Sequence, residues 1–193
     1  LALAVEADTP GHEVVYAAAA EQGRAIASGS CGTVAIGGIT LGGGIGVLSR
    51  SFGLTSDQVT AFELITADGR VLTVDADTEP DLFWAMRGGG GGSIGIVTSL
   101  TFATREAPDV SLFSMAFPWE DAATVLREWQ EWAPGADDRL WSTLKLLGGD
   151  QHASGPAVTV SGTWIGPEDE LEEALRSEES RVRKDFKNRW SPY

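Results

Sequence analysis

The chain has 193 residues, 42% apolar and 22% charged, which suits one large domain or two small ones with a real core. Its 14 Lys and Arg face 28 Asp and Glu, and the net charge of −14 argues against nucleic-acid backbones and anionic membrane surfaces as partners. A lone cysteine, Cys31, excludes an internal disulfide framework, and His12 and His152 with that Cys give no zinc-ligand spacing, so no metal is expected.

Leu1–Ala7 reads as a strand, turned by Thr9-Pro10-Gly11. The Ala-rich run from His12 to Gln22 predicts a helix, with Gly23 at its C′ position. Arg24–Ala27 reads as a short strand. Residues Ala25 to Ser49 then carry no charge, a span long enough to cross a bilayer. Eight of those positions are glycine, and each interior glycine costs a helix about 1 kcal/mol relative to alanine, so packed backbone is the better reading. Val59–Thr66 and Val71–Val74 flank Ala67-Asp68-Gly69-Arg70, whose Asp-Gly pair signals a hairpin. Pro80–Arg87 predicts a short helix with Pro at its start, followed by Gly88–Gly92 and a β-rich run over Ile94–Thr104.

Beyond Pro108 the texture changes. Ser111–Phe117 reads as a strand and Glu120–Ala133 as a helix, in which Val125, Leu126, Trp129 and Trp132 recur at helical spacing. Leu140–Leu147 and Ala157–Ile165 read as strands, and an acidic helix opens at Pro167. The order suits helices packed on one face of an antiparallel sheet. A boundary is expected near residue 106, and the tryptophans are read as core and interface filler. The tail from about 177 holds five of the fourteen basic residues and reads as a solvated charged face. The chain begins at Leu1 without a Met, and it reads as an excerpt with no visible signal peptide; a cytoplasmic location is favoured on that ground.

Glycine carries the chemistry. Nine of the 24 lie between Gly29 and Gly53, and six between Gly88 and Gly95. Such runs permit positive φ and close approach of main chain, and successive N–H groups then form an anion-binding concavity. Tight turns and close packing between elements explain the same clustering, so both readings stand. No Lys occurs before Lys145, which excludes a Walker loop. Gly90-x-Gly92-x-x-Gly95 matches the dinucleotide fingerprint, but a helix precedes it and a strand follows, the reverse of what that motif requires. With no Lys or Arg between residues 25 and 49, a phosphate held there depends on backbone donors at contact distance.

The run Gly29-Ser-Cys-Gly-Thr-Val-Ala-Ile-Gly-Gly-Ile-Thr-Leu-Gly-Gly-Gly-Ile-Gly46 resembles the FAD-binding domain of the p-cresol methylhydroxylase type, and more narrowly the berberine-bridge-enzyme-like flavin oxidases. Ser49-Arg-Ser-Phe-Gly-Leu-Thr-Ser-Asp57, Thr66-Ala-Asp-Gly-Arg-Val71, Asp81-Leu-Phe-Trp-Ala-Met-Arg-Gly-Gly-Gly-Gly91 and Gly95-Ile-Val-Thr98 follow at the family's spacing. The likeness is strong over residues 5–104 and weaker to about 175. It implies an α+β fold: the later part of an FAD-binding domain over 1–105, then the start of an antiparallel-sheet substrate domain over 106–193. It implies an FAD-dependent oxidase taking hydride from a substrate C–H to flavin N5, with reoxidation by oxygen and a small-molecule substrate as partner.

By the same resemblance Gly29, Ser30 and Cys31 line the flavin edge. Val34, Gly37, Gly38 and Ile39 follow along the cofactor, Gly43, Gly44, Ile45 and Gly46 pack close to it, and Gly95, Ile96 and Val97 approach the adenosine half. A cysteine at the place of Cys31 forms a thioether to flavin C6 in many relatives. Several departures stand beside these likenesses. By the resemblance the pyrophosphate loop with the second attachment His would lie upstream of Leu1, Gly32 follows the cysteine where relatives often have Pro, and Ile39 replaces a common His. No catalytic base is assigned: Asp57 reads as a loop organiser and His152 as a solvent-exposed loop residue. The rival reading is a non-catalytic remnant that keeps the scaffold as a binding module; a small nucleotide-dependent enzyme of another fold is a weaker third.

Overall fold

The computed structural model describes residues 2–6, 12–89, 92–149 and 155–182. The Thr9-Pro10-Gly11 turn, Gly90 and Gly91 of the fingerprint, the His152 loop and the basic tail from 183 lie outside the described residues. The chain divides into two compact units, Leu1–Pro108 and Asp109–Tyr193.

In the first unit β1 (Ala2–Glu6), β5 (Ile96–Ala103), β3 (Val59–Ile65) and β4 (Val71–Asp75) form one antiparallel sheet in the order β1-β5-β3-β4. Alternation places Phe62 and Leu64 of β3 inward and Glu63 outward, as a half-buried strand requires, and a register shift between Val59 and Ala61 leaves Thr60 exposed. The β3–β4 hairpin closes with Thr66 N–H on the Arg70 carbonyl at 2.9 Å, and Gly69 takes φ +80°. Helices α1 (His12–Ala20) and α4 (Pro80–Met86) add Val15, Phe83 and Met86 to the core of the unit. Phe83 meets Phe62 edge-on, ring centroids 5.8 Å apart. Helix α1 stops at Ala20, short of the expected Gln22, and Gly23 at φ +65° donates to the Ala20 carbonyl. Strand β2 covers only Arg24–Ala25, paired with β6 (Arg105–Glu106).

The uncharged run departs from expectation by forming helix. Ile36–Leu41 makes α2 despite Gly37 and Gly38, and Ser49–Phe52, at the end of the run, makes α3. Ile36 and Thr40 are wholly buried, so tertiary burial outweighs a propensity cost of about 1 kcal/mol per glycine. No helix among the described residues is long and apolar enough to cross a membrane.

The second unit is an antiparallel sheet in the order β7-β9-β8, built from Val110–Pro118, Ala157–Ile165 and Leu140–Leu147. Phe113, Val160, Val158 and Leu140 pack against Val125 of α5 (Ala122–Trp132) and Leu171 of α6 (Glu168–Val182). Mid-strand Gly162 is obligatory: a Cβ there meets the Trp141 carbonyl at 2.0 Å and the Phe113 ring at 2.6 Å. Trp164 is buried, and Trp129 and Trp132 pack on the core, but Trp84 is 75% exposed and Trp119 is 47% exposed. Neither of these two belongs to the core of its unit. Trp84 lies about 100° around α4 from Phe83, which takes the inward face.

Candidate cofactor site

The segment Ile26–Gly29 leaves β2 and runs buried, outside any strand pairing among the described residues, into an exposed loop from Ser30 to Ala35. Its backbone groups are met by side chains instead. Ala27 N–H donates to Gln58 Oε1 at 2.9 Å, and Gln58 Nε2 donates at 3.2 Å to the carbonyls of both Ala27 and Leu54. The Tyr16 hydroxyl donates to the Gly29 carbonyl at 3.2 Å. Burial pushes the Tyr16 phenol above its ordinary value, partly offset by Ser28. Neither Tyr16 nor Gln58 carried a sequence signal: one sits in an Ala-rich helix, the other at the mouth of a strand.

Beneath this segment lies Gly43–Gly46. The Gly43 and Gly44 carbonyls accept from Ser56 N–H at 2.9 Å and Thr55 N–H at 3.1 Å. A Cβ on Gly44 would stand 2.3 Å from Thr55 Oγ1, and one on Gly46 would stand 1.6 Å from the Ser28 carbonyl oxygen. At Gly95 the obstruction is the Ile65 carbonyl and Leu64 Cδ1, both at 2.7 Å. The room opened by these three glycines is therefore occupied by protein.

Gly38 differs. A Cβ there meets nothing within 4 Å, and the residue is exposed on α2. Of the expected residues before and after it in the chain, Ser30, Cys31 and Val34 are exposed, Ile39 is half-buried against the core, and Gly29 and Gly37 are buried. Of the remaining expected residues, Ile45 and Ile96 are 64% and 71% exposed, whereas Val97 packs on the core from β5. The two glycine windows do meet: a Cβ on Gly88 would lie 3.7 Å from Gly43 Cα.

Charge is handled locally. Arg24 Nε donates to Thr104 Oγ1 at 2.9 Å, and Arg87 and Arg105 stack on Phe83 and Phe52. Asp57 accepts from Leu54 N–H at 2.9 Å, which closes the loop after Gly53 (φ +82°). Among the described residues no group of His, Cys, Asp and Glu is placed to hold a metal ion. Two cavities stand out among the described residues, and none of the expected residues lines either. One of about 200 Å³ is lined by Asp57, Trp84, Ala85, Arg87 and Gly89. The larger, about 690 Å³, lies in the second unit beside Trp132, Arg139 and Glu170. Its size is no guide to the cofactor, because the salt bridge from Arg139 to Glu170 at 2.7 Å already spans two of its lining residues. Among the glycines expected along a cofactor, Gly38 is the one shown to be both exposed and clear of other protein atoms within 4 Å of an added Cβ.

Residues 1–75 match the family model described as an FAD binding domain. The chain is 40% identical over 166 residues to an uncharacterised FAD-linked oxidoreductase of Bacillus subtilis, covering 84% of this chain and 36% of that protein. Among solved structures it superposes on a chitooligosaccharide oxidase with TM-score 0.82 and 27% identity, over 93% of this chain and 37% of the other. The berberine-bridge-enzyme-like protein 1 of Physcomitrella patens gives TM-score 0.80 and 29% identity, over 93% and 38%. The chain thus spans somewhat more than a third of each of these proteins. Its first 75 residues thus match an FAD binding domain, and most of its length shares the α+β architecture of a chitooligosaccharide oxidase and a berberine-bridge-enzyme-like protein.

Proposed function

We propose that the chain forms the flavin-facing part of an FAD-dependent oxidase, with the first unit holding cofactor and the second opening the substrate domain. The observation that carries this is Gly38: its missing side chain serves no protein contact, in a chain whose first 75 residues match an FAD-binding domain. Gly29, Ser30, Cys31, Val34, Gly37, Gly38 and Ile39 are the residues that would lie along the cofactor, with exposed Ile45 and Ile96 flanking it. Gly43, Gly44, Gly46, Gly95 and Val97 support that surface from below. The pyrophosphate would be held by main-chain N–H groups, since residues 25–49 offer no cation. Bound FAD supplies the hydride acceptor at N5 for a substrate C–H, and molecular oxygen takes the electrons onward.

Cys31 is exposed, as a point of covalent attachment must be. Its Sγ would be the atom that holds the flavin ring covalently, an oxidative linkage whose two electrons oxygen would accept. The substrate is a small molecule presented to the first unit.

The test is a titration of FAD into the purified chain, followed by flavin fluorescence. Saturable quenching supports the site, whereas a flat titration favours a scaffold without cofactor. For the full-length parent, flavin that stays with acid-precipitated protein in the wild type and is released from Cys31→Ser establishes the link. Complete release from the wild type refutes it.

A further inference from the structure

The exposed Ser30–Ala35 loop departs from a segment outside the strand ladders, so something else must fix where the loop starts. Two side chains from outside the glycine windows do so. Gln58, only 5% exposed, both accepts from and donates to Ala27, the pattern of an adjacent β-strand, and its second N–H reaches the Leu54 carbonyl. That loop is itself held by Asp57 on Leu54 N–H. Two residues further on, the Tyr16 hydroxyl takes the Gly29 carbonyl from helix α1. Between these two points Gly46 packs main chain against the Ser28 carbonyl, leaving no room for a Cβ. A primary amide is required at residue 58, because a carboxylate accepts from Ala27 N–H but repels the carbonyls of Ala27 and Leu54.

We propose that Gln58 and Tyr16 are positioning residues that clamp Ala27–Gly29 and so set the Ser30–Cys31 edge of the cofactor surface. The proposal rests on the flavin-site reading for its functional consequence, but the clamp itself does not need it. Both side chains act through main chain and touch no expected cofactor contact except the carbonyl of Gly29.

Two readouts test it on the 193-residue chain. Cys31 is the single cysteine, so a nitroxide attached there reports the motion of that edge alone. Against the wild type, Tyr16→Phe and Gln58→Glu should shorten the nitroxide correlation time about twofold or more and weaken FAD binding about tenfold, as loss of a buried hydrogen bond predicts. The melting temperature should fall only a few degrees. Gln58→Glu should recover as pH drops below the carboxyl pKa, because the neutral acid regains one donor, while Tyr16→Phe should not. Spectra and affinities equal to wild type overturn the clamp, and so do changes that merely track the loss of melting temperature. Should the wild-type chain fail to quench flavin, the cofactor reading falls and the nitroxide alone decides the clamp. Tyr16→Phe keeps the packing of the ring, so the decision survives if Gln58→Glu does not fold.

Discussion

Gly38 and Gly46 stand in one uncharged run and are used in opposite ways. At Gly46 the backbone lies so close to Ser28 that a methyl would overlap its carbonyl oxygen at 1.6 Å, whereas at Gly38 a methyl would meet nothing within 4 Å. The 43–46 half is a structural layer, wedged between Ala27–Gly29 and Thr55–Ser56, whereas residues 30–35 and Gly38 are surface. A glycine-rich composition therefore joins two different uses of space: close packing of main chain on main chain, and clearance left for something else.

Substitutions separate the two. Gly46→Ala should cost the most, on the order of 4 kcal/mol or more, because its obstacle is backbone that cannot rotate away. Thermal denaturation should show a fold lost or lowered by many degrees, and a melting temperature near wild type would break the distinction. Gly95→Ala should cost about 1–3 kcal/mol, since Leu64 can yield while the Ile65 carbonyl cannot. Urea denaturation would read that difference.

Gly38→Ala should do the reverse. On an exposed helical position it should leave stability unchanged or raise it by up to about 1 kcal/mol, while weakening FAD binding. A parallel measurement of melting temperature and flavin quenching checks it, and intact affinity would make the opening incidental.

The smallest effect is a control in a turn outside both windows. Asp75 accepts from Asp77 N–H at 2.9 Å and Thr78 N–H at 2.7 Å, and these bonds hold its carboxyl below the ordinary value of 3.8. The contribution of that turn is present above pH 3.8 and is lost as pH falls through the lower folded value. Carboxyl and amide chemical shifts of residues 75–78 followed through an acid titration should show it, with residues 43–46 unmoved in that range.

Elements whose signals are local were legible. Leu140–Leu147 and Ala157–Ile165 are strands with the bounds their apolar runs suggest, and Asp68-Gly69 turns the hairpin between β3 and β4. Helix α2 was not legible, because glycine propensity argues against it and only the burial of Ile36 and Thr40 reverses that preference. Trp84 shows the same limit from the other side: an apolar side chain near a buried one need not share its face.

From the sequence alone came the glycine windows, the lack of cations across residues 25–49, the lone Cys31 and the block order that marks an FAD-binding domain, since each is a property of residue type and spacing. The tertiary structure alone decided which glycines are filled by neighbours, that Gly43 meets Gly88, and that Tyr16 and Gln58 converge on Ala27–Gly29. Those contacts join residues far apart in the chain, and a glycine has no side chain to announce what will lie against it.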